Sequence, residues 1–490
     1  MGRPQTKRTS KQKRAAEAQR TGRSPKQDES SLLVFGLAAA ATVAVGGVAA
    51  SFSAYGGTVG TGKAGEVYDL PIRTYHDNVR ITDGPSPLRF VIGDPSKFLH
   101  GAGQQRLHLA HTRAHFHTSP PQGLPVQMNN LSTYKTYNPS VAKLGSNYLL
   151  SGRRSNFHMC DWTASSNPLA GHPEIRSDLA LAVLGPGLGR YAADDGAALP
   201  ELRIADPEGL LSQRHDCIVG STELTLQGME DCRLAVLTRN DVLPPSAPLA
   251  SHLLVCNRAE ANAKSSSKGT CHNQPYAAAL ILEDSTTGRL EAVTVRNWMR
   301  LVADGDATDS IQKNWNPFVY NGSVHFVHTV QPHKIVHCDL LSPAADELGR
   351  APTATCRVLH ETSNDVLRSS MEGTGVKVHG STPFVHLAPH GLYVGIARRK
   401  HSMAHYGHFL YAFEDAPPFA VKHVGTEFCF ATEPSAGMDT ACEIIQFASG
   451  LALDDSEDDL VVSYGTMDCE ARVARLPLSV AIGMLRPELI

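Results

Sequence analysis

Residues 137–154 read YNPSVAKLGSNYLLSGRR. Two strand-like runs flank a Gly-containing turn, so the stretch reads as a β-hairpin with a polar opening and two guanidiniums at its close. Four later segments repeat that plan. They are GMEDCRLAVLTRNDV at 228–242, WNPFVYNGSVHFVHTVQPHKIVHCDL at 315–340, GSTPFVHLAPHGLYVGIARRK at 380–400 and IIQFASGLALDDSEDDLVVSYGTMDCEARVARL at 444–476. Their starts lie roughly 65–90 residues apart, longer than a common blade of about 40–50 residues and leaving room for long loops. Little helical periodicity separates them. Five such units predict an all-β domain over 131–490, a five-bladed β-propeller closed radially. The alternative, a β-sandwich with irregular insertions, does not explain why polar residues recur at each opening. In a propeller those openings converge on the central axis.

Upstream the texture differs. Residues 1–30 form a basic tail, with nine Lys or Arg and one acid before position 28. SLLVFGLAAAATVAVGGVAASFSA, residues 31–54, carries no charged residue. It is long enough to cross the ~30 Å hydrocarbon core as a helix and too long for a secretory signal. It is therefore expected to be an uncleaved signal anchor. The basic residues precede it, so positive-inside logic leaves the N-terminus cytosolic and the rest lumenal. A Golgi or other secretory-pathway membrane, crossed once in type II orientation, is the expected location. Residues 55–130, rich in Gly, Pro and His, read as a stem. HLAHTRAHFH within it, with His108, His111, His115 and His117, reads as a His-rich linker rather than a metal site. All ten Cys lie beyond the anchor. An even number in an oxidising lumen points to disulfides, whose pairing is left open. Asn130-Leu131-Ser132 and Asn321-Gly322-Ser323 are N-glycosylation acceptors. A net charge of −3 gives no global signal for nucleic acid, and none is expected as a partner.

The unit openings concentrate chemistry. The first unit ends its hairpin in Arg153 and Arg154. The second supplies Glu230, Asp231 and Arg233. The third supplies Lys313, Asn314 and Trp315, then His325 and His328. The fourth offers His379, Ser381, Thr382, Arg398, Arg399, Lys400, His401, His405 and Tyr406. The fifth offers Glu443, Tyr464 and Asp468. A carboxylic acid can protonate a glycosidic oxygen. Arg, Lys and His hold phosphate by charge-assisted hydrogen bonds. The mixture suits a sugar and an anionic group side by side. Each residue alone has a plainer reading as a strand end or a turn; recurrence at equivalent places favours the functional one.

Gly228-Met229-Glu230-Asp231-Cys232-Arg233 resembles the G-x-E-D-P-R motif of the five-bladed β-propeller mannoside phosphorylases and hydrolases, and of the related β-mannosyltransferases. NPSVAKLGSNYLLSGRR is similar to their first-blade pattern. Tyr464-Gly465-Thr466-Met467-Asp468 resembles their late Tyr-Gly-x-x-Asp motif, and NGSVHFVHT their third-blade hairpin, which singles out His328 over His325. The resemblance covers about 137–476. It implies Asp231 as the catalytic acid or base. It also implies Arg233, Arg153, Lys313 and His328 as sugar or phosphate contacts, to which the unit openings add Glu230, Arg154, Tyr406, Tyr464 and Asp468 as candidates. Where the family has Pro, this chain has Cys232.

An anchor, a stem and a lumenal domain favour synthesis over degradation. The expected function is an inverting glycosyltransferase moving mannose from an activated donor to a glycan acceptor, with a β-mannoside phosphorylase or hydrolase as runner-up. No cofactor is expected beyond a sugar nucleotide or sugar phosphate as substrate. A metal-dependent Rossmann-like transferase is the competing class, with Asp304-Gly305-Asp306 as a D-x-D cation site. That run sits in a polar turn, and GPGLG at 185–189 joins no clear strand to a helix. A non-catalytic glycan-binding propeller is the third reading.

Overall fold

The computed structural model describes residues 87–92, 105–114, 134–159, 174–188, 201–219, 222–238, 250–261, 269–284, 290–306, 313–341, 351–371, 377–400, 406–425, 427–431 and 445–485. The basic tail, the span at 31–54, Asn130, His115, His117, His401, His405 and Glu443 lie outside them. Among the described residues no helix is long and apolar enough to cross a membrane.

The described chain is all-β apart from short helices. Strands β1 (Pro87–Ile92) and β2 (Gln105–Ala114) come first. They fall within the stretch read as a stem, and the run carrying His108 and His111, expected as a linker, is strand. A first unit follows, with β3 (Lys135–Leu144), β4 (Asn147–Ser155), β5 (Glu174–Leu184), a short β6 (Arg203–Ala205), β7 (Arg214–Val219) and β8 (Thr222–Gly228). The second is a meander of β9 (Glu230–Val236), β10 (His252–Ala261), β11 (Cys271–Asp284) and β12 (Leu290–Ala303). The third is β13 (Asn316–Tyr320), β14 (Ser323–Thr329), β15 (His333–Cys338) and β16 (Thr353–Thr362). Helix α1 (Asp365–Met371) leads to the fourth. That unit holds β17 (Lys377–Gly380), β18 (Val385–Leu387), β19 (Leu392–Lys400), β20 (Tyr406–Glu414), β21 (Val421–Val424) and β22 (Phe428–Ala431). The fifth is β23 (Gln446–Leu453), β24 (Asp459–Thr466) and β25 (Glu470–Pro477), followed by helix α2 (Leu478–Leu485).

The units fuse into three sheets. Strands β12 and β16 pair in parallel, joining the second and third units. Strand β1 pairs with β22 and β2 with β25, so the early strands weld the fourth unit to the fifth. The first unit forms its own sheet, ordered β3-β4-β5-β8-β7, except for β6, which pairs in parallel with β12 of the second unit.

Packing explains the sequence texture. Each unit is buried on both faces, so its strands read as near-continuous apolar runs. In β10, Leu254 and Cys256 join a core shared with the first unit, while Leu253 and Val255 join one shared with the third. Phe318 and Ile335 meet Tyr393, Tyr411 and Phe413 between the third and fourth units. Val394 and Leu410 meet Leu460, Val462 and Tyr464 between the fourth and fifth. Val141 and Leu150 meet Val461 and Val473, so the fifth unit also packs on the first. Disulfides Cys217–Cys271, Cys232–Cys256 and Cys338–Cys356 tie neighbouring strands.

Candidate active site

The unit openings meet through unusual backbone. Asn138, Asp231, Asn314 and Asp468 have φ of 48°, 48°, 64° and 43°. Among residues with a side chain, Asn and Asp enter this left-handed region most readily. Asn138 lies in a bulge of β3 between Tyr137 and Ser140, a distortion that re-aims a side chain. Gly228 prepares the turn into Asp231. Its φ is 86°, and a Cβ there would lie 1.8 Å from the carbonyl oxygen of Ser177. The glycine of the G-x-E-D motif is thus required by backbone approach.

Acids from three units gather around Asn138 and Arg153. The Asn138 amide Nδ2 donates to Asp231 Oδ1 at 2.9 Å and to Asp468 Oδ1 at 3.3 Å. Arg153 holds Glu230 at 3.0 Å and Asp231 at 3.7 Å, and donates to Ser177 Oγ at 3.0 Å. The side chains of Arg153, Asp231 and Glu230 keep 10%, 14% and 16% of their surface exposed, enough for a ligand to touch them. Burial pushes the Asp231 carboxyl up, but Arg153, the Asn138 amide, Lys313 and Arg233 outweigh it and hold it below the usual carboxylate range. Asp468 goes the other way. Burial and the charge of Asp231 raise it to about 6, against the pull of Arg153 and Asn138.

Opposite the acids stands a set of cations. Arg233 spends its donors on the Ser381 carbonyl at 2.7 Å, the Asp231 carbonyl at 3.1 Å and Asn314 Oδ1 at 2.9 Å. Arg398 donates to the Gly380 carbonyl at 2.9 Å and lies over the Phe447 ring at 4.3 Å. Among the described residues neither guanidinium has a carboxylate within 4.0 Å, and nor do the ammoniums of Lys313 and Lys400. Burial lowers Arg233, and the charge of Arg398 lowers it further. Lys400 is lowered by burial and then by Lys313, Arg398 and Lys377. His379, buried and faced by Arg398, Lys400, Lys313 and Lys377, falls to about 3 and stays neutral. Tyr406 is raised by burial, so its hydroxyl remains a donor near Asp468 and Asp231. Buried cations that repel one another and have no carboxylate within ion-pair distance form an anion site.

Of the residues expected at the site, Asp231, Glu230, Arg233, Arg153, Lys313, Tyr406 and Asp468 come together. Three do not. Arg154 neighbours Arg153 on a strand, so it points to the opposite face and pairs with Glu201 at 2.8 Å. His328 bonds Asp306 Oδ2 at 2.9 Å and abuts the Trp315 ring edge-on at 4.8 Å. Tyr464 is fully buried and stacks on Phe430 at 4.1 Å in the core between the fourth and fifth units. His325 packs against Phe318 and His337 instead. Arg399 pairs with Glu427 at 2.8 Å, whereas its neighbours Arg398 and Lys400 join the cations. The D-x-D run is a turn whose Asp306 serves His328. Among the described residues no group of three or more His, Cys, Asp or Glu is arranged to hold a metal ion. Asp454 of the acidic run at 454–459 caps its own hairpin turn, accepting from the Asp458 and Asp459 amides at 3.1 and 3.2 Å. Asn138 and Asn257, which orders Asn314 through its backbone amide at 3.0 Å, carried no role in the sequence. The Asn-Pro opening was the one signal for the first.

No family model matches the chain, and none of the curated proteins matches it. Among solved structures, the chain is similar to a mannose phosphorylase from Leishmania mexicana in complex with phosphate ion. The identity is 9%, the coverage 72% of this chain and 87% of that one, and the TM-score 0.36. A GDP-Man-dependent mannosyltransferase from Leishmania mexicana matches at 9% identity, 71% and 87% coverage and TM-score 0.39. A β-1,2-mannobiose phosphorylase from Listeria innocua matches at 12% identity, 74% and 95% coverage and TM-score 0.38.

Proposed function

We propose that the chain is an inverting glycosyltransferase that moves a hexosyl group, mannosyl by motif resemblance, from a phosphate-linked donor to a glycan hydroxyl. The observation that carries this is the two-sided site, with Asp231 and its acidic neighbours on one side and the carboxylate-free cations Lys313, Arg398 and Arg233 on the other. Asp231, held ionised, takes the proton of the acceptor hydroxyl. The acceptor oxygen bonds to the anomeric carbon as the bond to the donor phosphate breaks. The charge that develops on the departing phosphate faces Lys313 and the two guanidiniums, where charge-assisted hydrogen bonds are strongest.

We further propose the architecture as a five-bladed β-propeller. The run of shared cores supports it, since the fifth unit packs on the first as each unit packs on the next. The placement proposed for it is the lumen of a Golgi or other secretory membrane, held by residues 31–54. The disulfides support an oxidising compartment.

Phosphorolysis of a β-mannoside is the second reading. It runs the same bonds in reverse and needs a proton for the glycosidic oxygen. Asp468, protonated up to about pH 6, favours it. The test offers the protein sugar nucleotides with mannoside acceptors, and mannosides with inorganic phosphate, with and without a chelator. Transfer from a sugar nucleotide that survives chelation and vanishes in Asp231→Asn supports the transferase. Turnover only with phosphate or a sugar 1-phosphate moves the enzyme to the phosphorylases. Transfer that needs metal and ignores Asp231→Asn overturns the site.

A further inference from the structure

Asp468 reaches the axis from the loop after β24, and Asp231 from the opening of β9. Both carboxylates accept from a single nitrogen, Asn138 Nδ2, at 3.3 and 2.9 Å. The two accepting oxygens are therefore closer together than the ~6.5–9.5 Å that an inverting glycosidase keeps between its carboxyls to hold a water. They do not form such a pair. Their backbones are equally unusual, with φ of 48° and 43°, and Asn138 matches them at 48°. Three units thus hold uncommon conformations to bring one amide and two carboxyls together.

Asp231 is faced by Arg153, Lys313 and Arg233, but the surroundings of Asp468 do not match that set. Asp468 is faced by Asp231 and Glu230 from β9, Arg153 from β4, Tyr137 and Asn138 from β3, and Tyr406 from β20. Arg153 is the one cation among these, and Glu230 already holds it at 3.0 Å. Of two neighbouring carboxyls that share a donor, the one with the poorer set of cations keeps the proton.

We propose that Asp231 and Asp468 form one carboxyl pair, bridged by Asn138 and holding a single proton that rests on Asp468. Asp231 is the reacting member, and this part rests on the transfer reading above. Asp468 is a positioning residue. Neutral, it leaves Asp231 ionised and adds no charge against an anionic donor. Ionised, it repels that donor. In the phosphorolytic direction the same proton passes from Asp468 to Asp231 and on to the glycosidic oxygen, and the attacking phosphate's proton restores it.

The test reads the carboxyls without substrate. Infrared difference spectra of the full chain are titrated from pH 4 to pH 8, for wild type, Asp468→Asn and Asp231→Asn. Expected is a protonated-carboxyl band in wild type with a midpoint near 6, missing in Asp468→Asn. In Asp231→Asn the band's midpoint falls by roughly one pH unit or more, because the neighbouring charge is gone. An unchanged midpoint in Asp231→Asn overturns the pair, and that variant retains Asp468, so the outcome stands even if Asp468→Asn folds poorly. A band that persists in Asp468→Asn overturns it as well. Because no turnover is involved, the pair fails or survives separately from the transferase reading. In the turnover assay, wild type should lose rate severalfold as pH rises through 6, and Asp468→Asn should lose that fall, whatever its absolute rate. A merely structural Asp468 would lower the rate at every pH without moving the profile.

Discussion

Asp231 is fixed by its backbone before its side chain makes any bond. A β-branched residue at φ 48° would be strained, whereas Asn adopts the conformation readily. Asp231→Asn therefore keeps the turn and the contact region while removing the base. Turnover should fall about 10²–10⁴-fold with little change in thermal midpoint, measured by initial rates beside a melting curve. A loss under tenfold would place the base elsewhere. The cations give a second prediction. Arg398→Met should weaken binding of inorganic diphosphate by at least about tenfold in calorimetry, since its guanidinium has no carboxylate to satisfy. Arg154→Met should leave that affinity unchanged, because Arg154 points away and pairs with Glu201. Equal losses in both would mean that general surface charge, not the site, binds the anion. The difference between Arg153 and Arg154 was legible from strand alternation alone. Which of the two faces inward was not, because both faces of β4 carry apolar residues, Leu149 on one and Leu150 on the other.

At the scale of elements, glycines show what the motifs are for. Gly465 follows the buried Tyr464 in β24, and a Cβ there would lie 2.1 Å from Asn138 Oδ1 and 2.7 Å from the Asn138 amide nitrogen. Gly465→Ala must displace Asn138, and with it the shared donor of Asp231 and Asp468. Activity should drop by more than tenfold while the Cys232–Cys256 and Cys338–Cys356 bridges still form, as checked by thiol titration. Full activity in Gly465→Ala would show that Asn138 is not needed where it stands. The Tyr-Gly-x-x-Asp run was visible in sequence, but its parts were misjudged. Tyr464 is packing, Gly465 makes room and Asp468 carries the charge. A strand tyrosine reads the same whether it meets a ligand or Phe430. Cys232 stands where the resembled motif has Pro, and its bridge to Cys256 ties the active-site strand to β10. The hairpins themselves were legible because turn glycines and apolar runs are local signals. The fusion of units into larger sheets was not, because β12–β16 and β2–β25 pair residues distant in sequence.

For the molecule as a whole, stability rests on the cores between units, and one of them contains a titratable group. His333 opens β15, is fully buried, and lies 4.9 Å from the Phe413 ring and 6.0 Å from that of Tyr411 in the next unit. Neither ring nitrogen has a hydrogen-bond partner. Burial alone depresses it to about 3 from an ordinary 6.5. The folded protein therefore binds fewer protons here than the unfolded chain does between those two values. The sign follows directly: nothing is lost above pH 6.5, and stability falls as pH drops from 6.5 toward 3. His215, depressed to about 4, acts in the same direction, so His333 accounts for part of the slope. His333→Phe removes the proton uptake and sacrifices no hydrogen bond, while the added ring meets aromatic neighbours. Its thermal midpoint should match or exceed wild type at pH 7, and its advantage should widen steadily as pH falls to 4.5. Parallel midpoints for the two proteins over that range would mean that the interface between the third and fourth units already admits a proton without opening.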